Sequence, residues 1–297
     1  MKRKILVFGI ISGLIFLFIS FCAATSGQQT NSVDLNSSLV EEYKKVGIDI
    51  KKELKKRNLY QEDGQYFIKF REPELKKDVI SDLKEYYDTD VKKVSLKDAL
   101  KMDALLSENK HYKTIDDLKF FLNFKSLYLD NNQIDDYRGL KYLKKLNSLH
   151  LKNNNLKDIQ FLKFVTSELE YLRLSNNQIK DVAPINHLVN LKSLSLSNNQ
   201  IQDLTCLSTM KKLRSLRLEN NHLKTLKGLK AEYVSLYVEG NPLTVEGLEE
   251  IKNLKIYTLV IDREVFDGIV FANYPEFLWD IENLEFIEED EDESKNR

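Results

Sequence analysis

Leu127-Tyr-Leu129-Asp-Asn-Asn132-Gln-Ile134 and Leu149-His-Leu151-Lys-Asn-Asn154-Asn-Leu156 are two copies of one pattern. The pattern returns from Leu172 to Ile179, from Leu194 to Ile201 and from Leu216 to Leu223. A last clear copy runs from Leu236 to Leu243, with Val238 and Asn241 in their places. Successive starts are separated by 22, 23, 22, 22 and 20 residues. A degenerate copy is read at Ala104, Leu106 and Asn109, and Leu259 with Ile261 extends the pattern at the far end without the Asn. Self-similarity at a fixed period of this size is the signature of stacked repeats. Two leucines placed two apart point to the same face of a strand. One such strand cannot bury them, but stacked copies bury them in a continuous core.

The repeated L-x-L-x-x-N-x-(I/L) pattern resembles the leucine-rich-repeat family, in the short-repeat subclass that includes bacterial internalin-like proteins. It covers residues 104–262, somewhat over half the chain. The resemblance implies an α/β solenoid, a right-handed coil with a parallel concave sheet. A helical N-terminal cap and a short α/β C-terminal cap go with it.

Asn132, Asn154, Asn177, Asn199, Asn221 and Asn241 form one column of the repeat. Chain reversal after each strand leaves backbone groups inside that need partners. An Asn amide both donates and accepts, so this column is read as a scaffold that satisfies its own coil and the next. Four residues on lies a second column of helix-starting types, Asp136, Asp158, Asp181, Asp203 and Thr225. Its carboxylates stand singly, one coil apart, so it is read as capping rather than as a metal site.

The flanks are read as follows. Residues 1–24 are a signal peptide or lipoprotein signal: Lys2, Arg3 and Lys4 precede an uncharged run from Ile5 to Phe21, and Cys22, Ala23 and Ala24 are small. Cys22 closes Ile19-Ser20-Phe21 in a way that resembles a lipobox, although Phe21 is larger than usual there. The alternative is a cut after Ala24. Either route predicts export, to the cell envelope through a lipid on Cys22 or as a secreted protein. Residues 25–62 read as a polar tether and a charged helix. Residues 63–103 read as the helical cap, with Ser95 and Asp98 as a capping box. Residues 263–297 read as a C-terminal cap and an acidic tail, Glu288 to Glu293. Ile256 to Ile261 is expected to be the closing strand.

The chain has 297 residues, 45 basic and 46 acidic, for a net charge of −1. Loss of residues 1–21 removes three basic residues and leaves 42 against 46, or −4. That balance gives no sign of nucleic-acid binding, which normally appears as a basic excess. The only other cysteine, Cys206, sits at an apolar repeat position. The four His residues fall at different repeat phases, and no zinc-protease, hydrolase-elbow or phosphate-loop motif occurs. The expectation is therefore a binder with no enzymatic activity, cofactor or metal.

Residues between the leucines face outward. The central outward column reads Tyr128, His150, Arg173, Ser195, Arg217, Tyr237 and Val260. Tyr and Arg are the types that anchor protein interfaces, so Tyr128, His150, Arg173, Arg217 and Tyr237 are the candidate partner-binding residues. The ligand is expected to be a protein, in adhesion, host contact or envelope assembly. Two alternatives stay open: a structural scaffold whose face is merely solvated, with Arg217 paired to Glu219, and a binder of an anionic glycan. Intact mass of the mature N-terminus separates the two processing routes. An acylated Cys22 marks the lipoprotein, and an unmodified Thr25 start marks the secreted form.

Overall fold

The computed structural model describes residues 32–230, 232–244, 246–247, 254–263, 265 and 283–287. Residues 1–24, with Cys22, and the acidic run Glu288 to Glu293 lie outside them. Among the described residues no helix is long and apolar enough to cross a membrane.

Each repeat contributes a three-residue strand whose middle leucine points inward. In chain order these are β3 (Ala104–Leu106), β4 (Ser126–Tyr128), β5 (Ser148–His150), β6 (Tyr171–Arg173), β7 (Ser193–Ser195) and β8 (Ser215–Arg217). β9 (Glu232–Tyr237), β10 (Lys255–Asp262) and β11 (Asn283–Ile287) follow. All nine pair in parallel and in sequence order. Leu105, Leu127, Leu149, Leu172, Leu194, Leu216, Leu236, Leu259 and Leu284 stand in register across the sheet. From Leu105 to Leu259 every one is buried. At ~25 cal/mol per Å² of apolar surface, this continuous leucine column is the main favourable term of the stack. The chain is thus a leucine-rich-repeat solenoid, as the motif implies.

The Asn column ties the coils together. Asn177 Nδ2 donates to Leu174 O at 2.9 Å in its own turn and to Leu151 O at 3.0 Å in the preceding coil. Its Oδ1 accepts from the Asn154 and Leu156 amides, both at 2.9 Å. Asn199, Asn221 and Asn241 repeat the two donations, and each Oδ1 accepts one amide of the preceding coil. The cross-coil bonds run to the preceding coil, where the sequence suggested the next one. Asp136, Asp158, Asp181, Asp203 and Thr225 each accept the backbone amide two residues on, and the four aspartates start the 3-10 turns of the outer face.

Several expectations need correction. In the first coil Leu105, rather than Ala104 or Leu106, is the inward residue, and Leu106 is exposed. The copy is therefore 22 residues before Leu127, and Asn109 aligns with Asn131 rather than with Asn132. The buried Ser107 fills the second inward position and bonds to Asp78 and Tyr112, which hid the register from a count of leucines. The stretch read as tether is helical from α1 (Ser32–Lys45). Gly47, at φ +85, ends it, and α2 (Ile50–Lys55) follows on an Asp49 cap. Tyr60 lies in a hairpin of β1 (Leu59–Glu62) and β2 (Gln65–Ile68), not in a helix. At the other end β11 pairs beyond β10, so the strand at Ile256 to Ile261 is not the last. Most of residues 263–297, read as the C-terminal cap and tail, lies outside the described residues.

The cap covers the first edge by chemistry as well as by shape. α3 (Pro73–Tyr86) starts on Pro73 and buries Leu75, Val79 and Leu83. Edge strands carry unpaired amides that need partners. Here Leu106 N donates to Asp82 Oδ2 at 3.1 Å, and Ala104 N to Tyr87 Oη at 3.1 Å. α4 (Leu96–Ala99) begins with the expected Ser95–Asp98 capping box. α1 joins the same core, since the buried Tyr43 hydroxyl donates to Phe120 O at 2.6 Å.

Asn177→Ala removes all four bonds at once, and each backbone group left dry costs about 1–3 kcal/mol before local relaxation. We expect a loss of about 3–4 kcal/mol, read as a lower urea midpoint, whereas Lys180→Ala at a nearby exposed position loses under about 1 kcal/mol.

Candidate functional site

The strand register sets the geometry of the outward face. Tyr128, His150, Arg173, Ser195, Arg217 and Tyr237 are consecutive partners across β4 to β9. All five candidate recognition residues therefore lie in one row, at strand spacings of ~4.8 Å. Val260 continues the row but is buried, so it presents nothing to solvent.

The row is already paired within itself. Tyr128 and His150 meet edge to face at 4.6 Å between ring centroids. Burial holds the His150 imidazole below its ordinary pKa, with Asp130 opposing and Arg173 assisting. Arg173 Nη1 lies 3.6 Å from Asp130 Oδ2. Asp130 Oδ1 accepts the Lys152 amide at 2.7 Å. Arg217 Nη1 bonds Glu219 Oε1 at 2.9 Å, and its guanidinium lies 4.0 Å from the centre of the Tyr237 ring. Cation–π stacking of this kind contributes about 0.5–1 kcal/mol at exposed sites. The Arg217–Glu219 pair foreseen for a solvated face is thus present. Both guanidinium groups nonetheless stay accessible, at 43% and 47% side-chain exposure.

Arg173 leans toward the Asp130 side and Arg217 toward Tyr237, so the two arginines splay apart. Between them opens a trough of about 650 Å³ on β6 to β8. Ser193, Ser195, Ser175 and Ser197 line it, with Tyr171 on one wall. Ser175 and Ser195 share a hydroxyl bond, and Ser197 donates to Glu219 Oε2. Glu239 also lines the trough, and its buried Oε2 has no partner. Burial pushes the Glu239 carboxyl up to about 7, helped by the like charges of Glu219 and Asp262 and opposed by Arg217.

Along one margin runs a ladder that the sequence reading passed over. Asn220 Nδ2 donates to Asn198 Oδ1 at 3.0 Å, and Asn198 Nδ2 to Asn176 Oδ1 at 2.9 Å. These residues hold positive φ angles of 54 to 56°, a backbone region Asn tolerates better than most residues. The signal was visible as the first Asn of each Asn-Asn pair. Gly240 replaces it in the last clear repeat at φ +69, where a Cβ would come within 2.1 Å of Asn220 Oδ1.

A larger cleft, about 960 Å³, lies among the turns of the coils from Leu127 and Leu149. It arises where Tyr137 replaces the Ile, Val or Leu of other coils and stacks on Phe161 at 4.0 Å. Its cation Arg138 is held by Asp136 within the same turn. Cys206 is half-buried, and burial pushes its thiol up to about 11, far from a reactive thiolate. Among the described residues no group of His, Cys, Asp and Glu is placed to hold a metal ion.

Comparison with known proteins agrees with the fold. A family model described as leucine-rich repeats (2 copies) matches residues 167–209 and 189–231. Internalin C2 from Listeria monocytogenes is 27% identical with a TM-score of 0.50, over 64% of this chain and 94% of that one. An internalin from the same organism is 19% identical, with a TM-score of 0.35, over 74% and 91%. A leucine-rich-repeat protein from Leptospira interrogans is 18% identical, with a TM-score of 0.46, over 64% and 56%. No curated protein matches the chain.

Because the folded Glu239 pKa lies above the ordinary 4.5, the folded state holds a proton that the unfolded chain releases. Its effect on stability is nil below about pH 4. It becomes increasingly unfavourable as pH rises toward 7 and is constant above. Glu239→Gln should therefore lose less stability than the parent between pH 5 and pH 8, as read from urea midpoints at both values.

Proposed function

We propose that this internalin-like leucine-rich-repeat protein is an exported recognition module that holds a protein ligand on its concave face. Leucine-rich-repeat proteins generally serve as protein-interaction modules, and curved stacks of this kind offer extended concave surfaces for the purpose. The observation that carries the reading is the single row of Tyr128, His150, Arg173, Arg217 and Tyr237 on rigid paired strands. Side chains fixed by sheet register lose little freedom on binding, which removes one of the main entropic costs of association. Tyr128 and Tyr237 supply wide planar contacts at the ends of the row and Arg173 and Arg217 within it, and small Ser neighbours leave their flanks open.

The Lys2 to Ala24 segment supports a location outside the cytoplasm, in the envelope or secreted. The likeness to internalin C2 supports a bacterial surface or secreted protein. A binding role with no turnover fits the paired state of the charged groups and the half-buried Cys206. Adhesion, host contact and envelope assembly are the settings such a module suits. A pure scaffold is the weaker reading, since a merely solvated face has no need of two aromatic anchors.

Cross-linking of the full chain to its surroundings, followed by mass spectrometry, identifies the captured protein. Arg173→Ala with Arg217→Ala should then weaken capture by about tenfold or more, equivalent to about 1.4 kcal/mol. The thermal midpoint should fall by several degrees, because the buried Asp130 and Glu219 each lose a cation, while the circular-dichroism spectrum below the transition stays that of the parent. Unchanged capture removes the concave row as the binding surface.

A further inference from the structure

The trough on β6 to β8 joins three candidate residues of the row, His150, Arg173 and Arg217, to a floor of another kind. Serine is under-represented among the residues that dominate protein interfaces, yet Ser175, Ser193, Ser195 and Ser197 form its floor. Its two guanidinium groups are each matched by a carboxylate, Arg173 by Asp130 and Arg217 by Glu219. An anion entering here meets guanidinium groups already facing carboxylates, so net attraction for a charged ligand is small. The volume of about 650 Å³ falls within the ~300–1,000 Å³ range of small-ligand clefts.

We propose that this trough is a subsite for a neutral glycan, seated on the serine floor between Arg173 and Arg217 with one sugar face on Tyr171. Three features favour a polyhydroxylated ligand. The Arg217–Glu219 pair places a donor and an acceptor side by side, which matches two adjacent hydroxyls, one accepting and one donating. Glu239 is half-buried on the same trough, and its carboxyl, which burial keeps partly protonated near pH 7, offers a ligand hydroxyl both a donor and an acceptor. Tyr171 is 42% exposed and offers an apolar ring face beside polar groups, the combination a sugar ring requires. The Asn176–Asn198–Asn220 ladder adds a margin of side-chain amides. Most of these polar groups are already held by one another, so little ordering remains to be done on binding.

The subsite rests on the concave-face reading only for its location. The test titrates the full chain with neutral trisaccharides of glucose, mannose and N-acetylglucosamine, and with a sulfated disaccharide, by saturation-transfer NMR and calorimetry. The expected result is saturable binding of at least one neutral trisaccharide, weakened about fivefold or more by Glu219→Gln and, at an unchanged thermal midpoint, by Tyr171→Ala, whose side chain is exposed. Affinity should change less than about twofold between about 50 and about 500 mM salt, since screening acts on net charge. Three results overturn the proposal: no neutral trisaccharide binds, binding ignores both substitutions, or only the sulfated sugar binds with steep salt dependence. Capture of a protein partner that survives Tyr171→Ala while trisaccharide binding is lost separates the subsite from the row. Capture insensitive to the arginine pair, while the parent chain binds a neutral trisaccharide and Tyr171→Ala weakens that binding, removes the protein reading and leaves the subsite.

Discussion

The structure depends on what one amide side chain does twice. Each buried Asn of the repeat closes its own turn through Nδ2 and, in four successive coils, receives a backbone amide of the coil before through Oδ1. A parallel stack of three-residue strands has few ladder bonds per coil, and the tight reversal after each strand would otherwise bury unsatisfied carbonyls. The leucines supply the favourable burial, but apolar packing alone is indifferent to small slips. The Asn bonds are directional, so they convert burial into register. Register in turn puts Tyr128, His150, Arg173, Arg217 and Tyr237 in a single row.

A stack also needs ends, and the two ends differ. At the N-terminal side the cap supplies specific acceptors to the first strand, Asp82 for Leu106 and Tyr87 for Ala104. Burial, with Asp78 and Glu85 nearby, pushes Asp82 up to about 6, which reflects how closely the helix is applied to the edge. The buried Lys119 joins Glu53 of α2 to Asp116 of the first 3-10 turn. α1 and α2 are thus part of the cap and not appendages to it. At the other side the sheet continues through β10 into β11.

Much of the fold could be read from the chain because its information is repetitive. L-x-L spacing, the Asn column and the Asp column each recur often enough that a single departure does not mislead. The errors lie where repetition fails. The first coil was placed one residue out because Ser107 stands where a leucine was sought, and its partners Asp78 and Tyr112 come from outside the repeat pattern. The β1–β2 hairpin was missed because the charged stretch before it was extended as helix through Tyr60, although β1 begins at Leu59. The site was legible as a row, since outward positions follow from alternation. Its pairing was legible only along one strand, as with Arg217 and Glu219. Arg173 with Asp130 spans two coils, and the exposed Asn ladder needs the positive φ angles to be recognised.

The register of the sheet has a consequence for how such a surface can change. Substitution alters what each strand displays but not where it stands, because the distance from Arg173 to Arg217 is fixed at two strand intervals. Only gain or loss of a whole coil changes that interval, in steps of ~4.8 Å, and the bonds of Asn177 and Asn199 would re-form on whichever neighbour arrived. The molecule therefore behaves as a ruler whose graduations are indivisible: its lineage can rewrite the marks freely but can lengthen the scale only one division at a time.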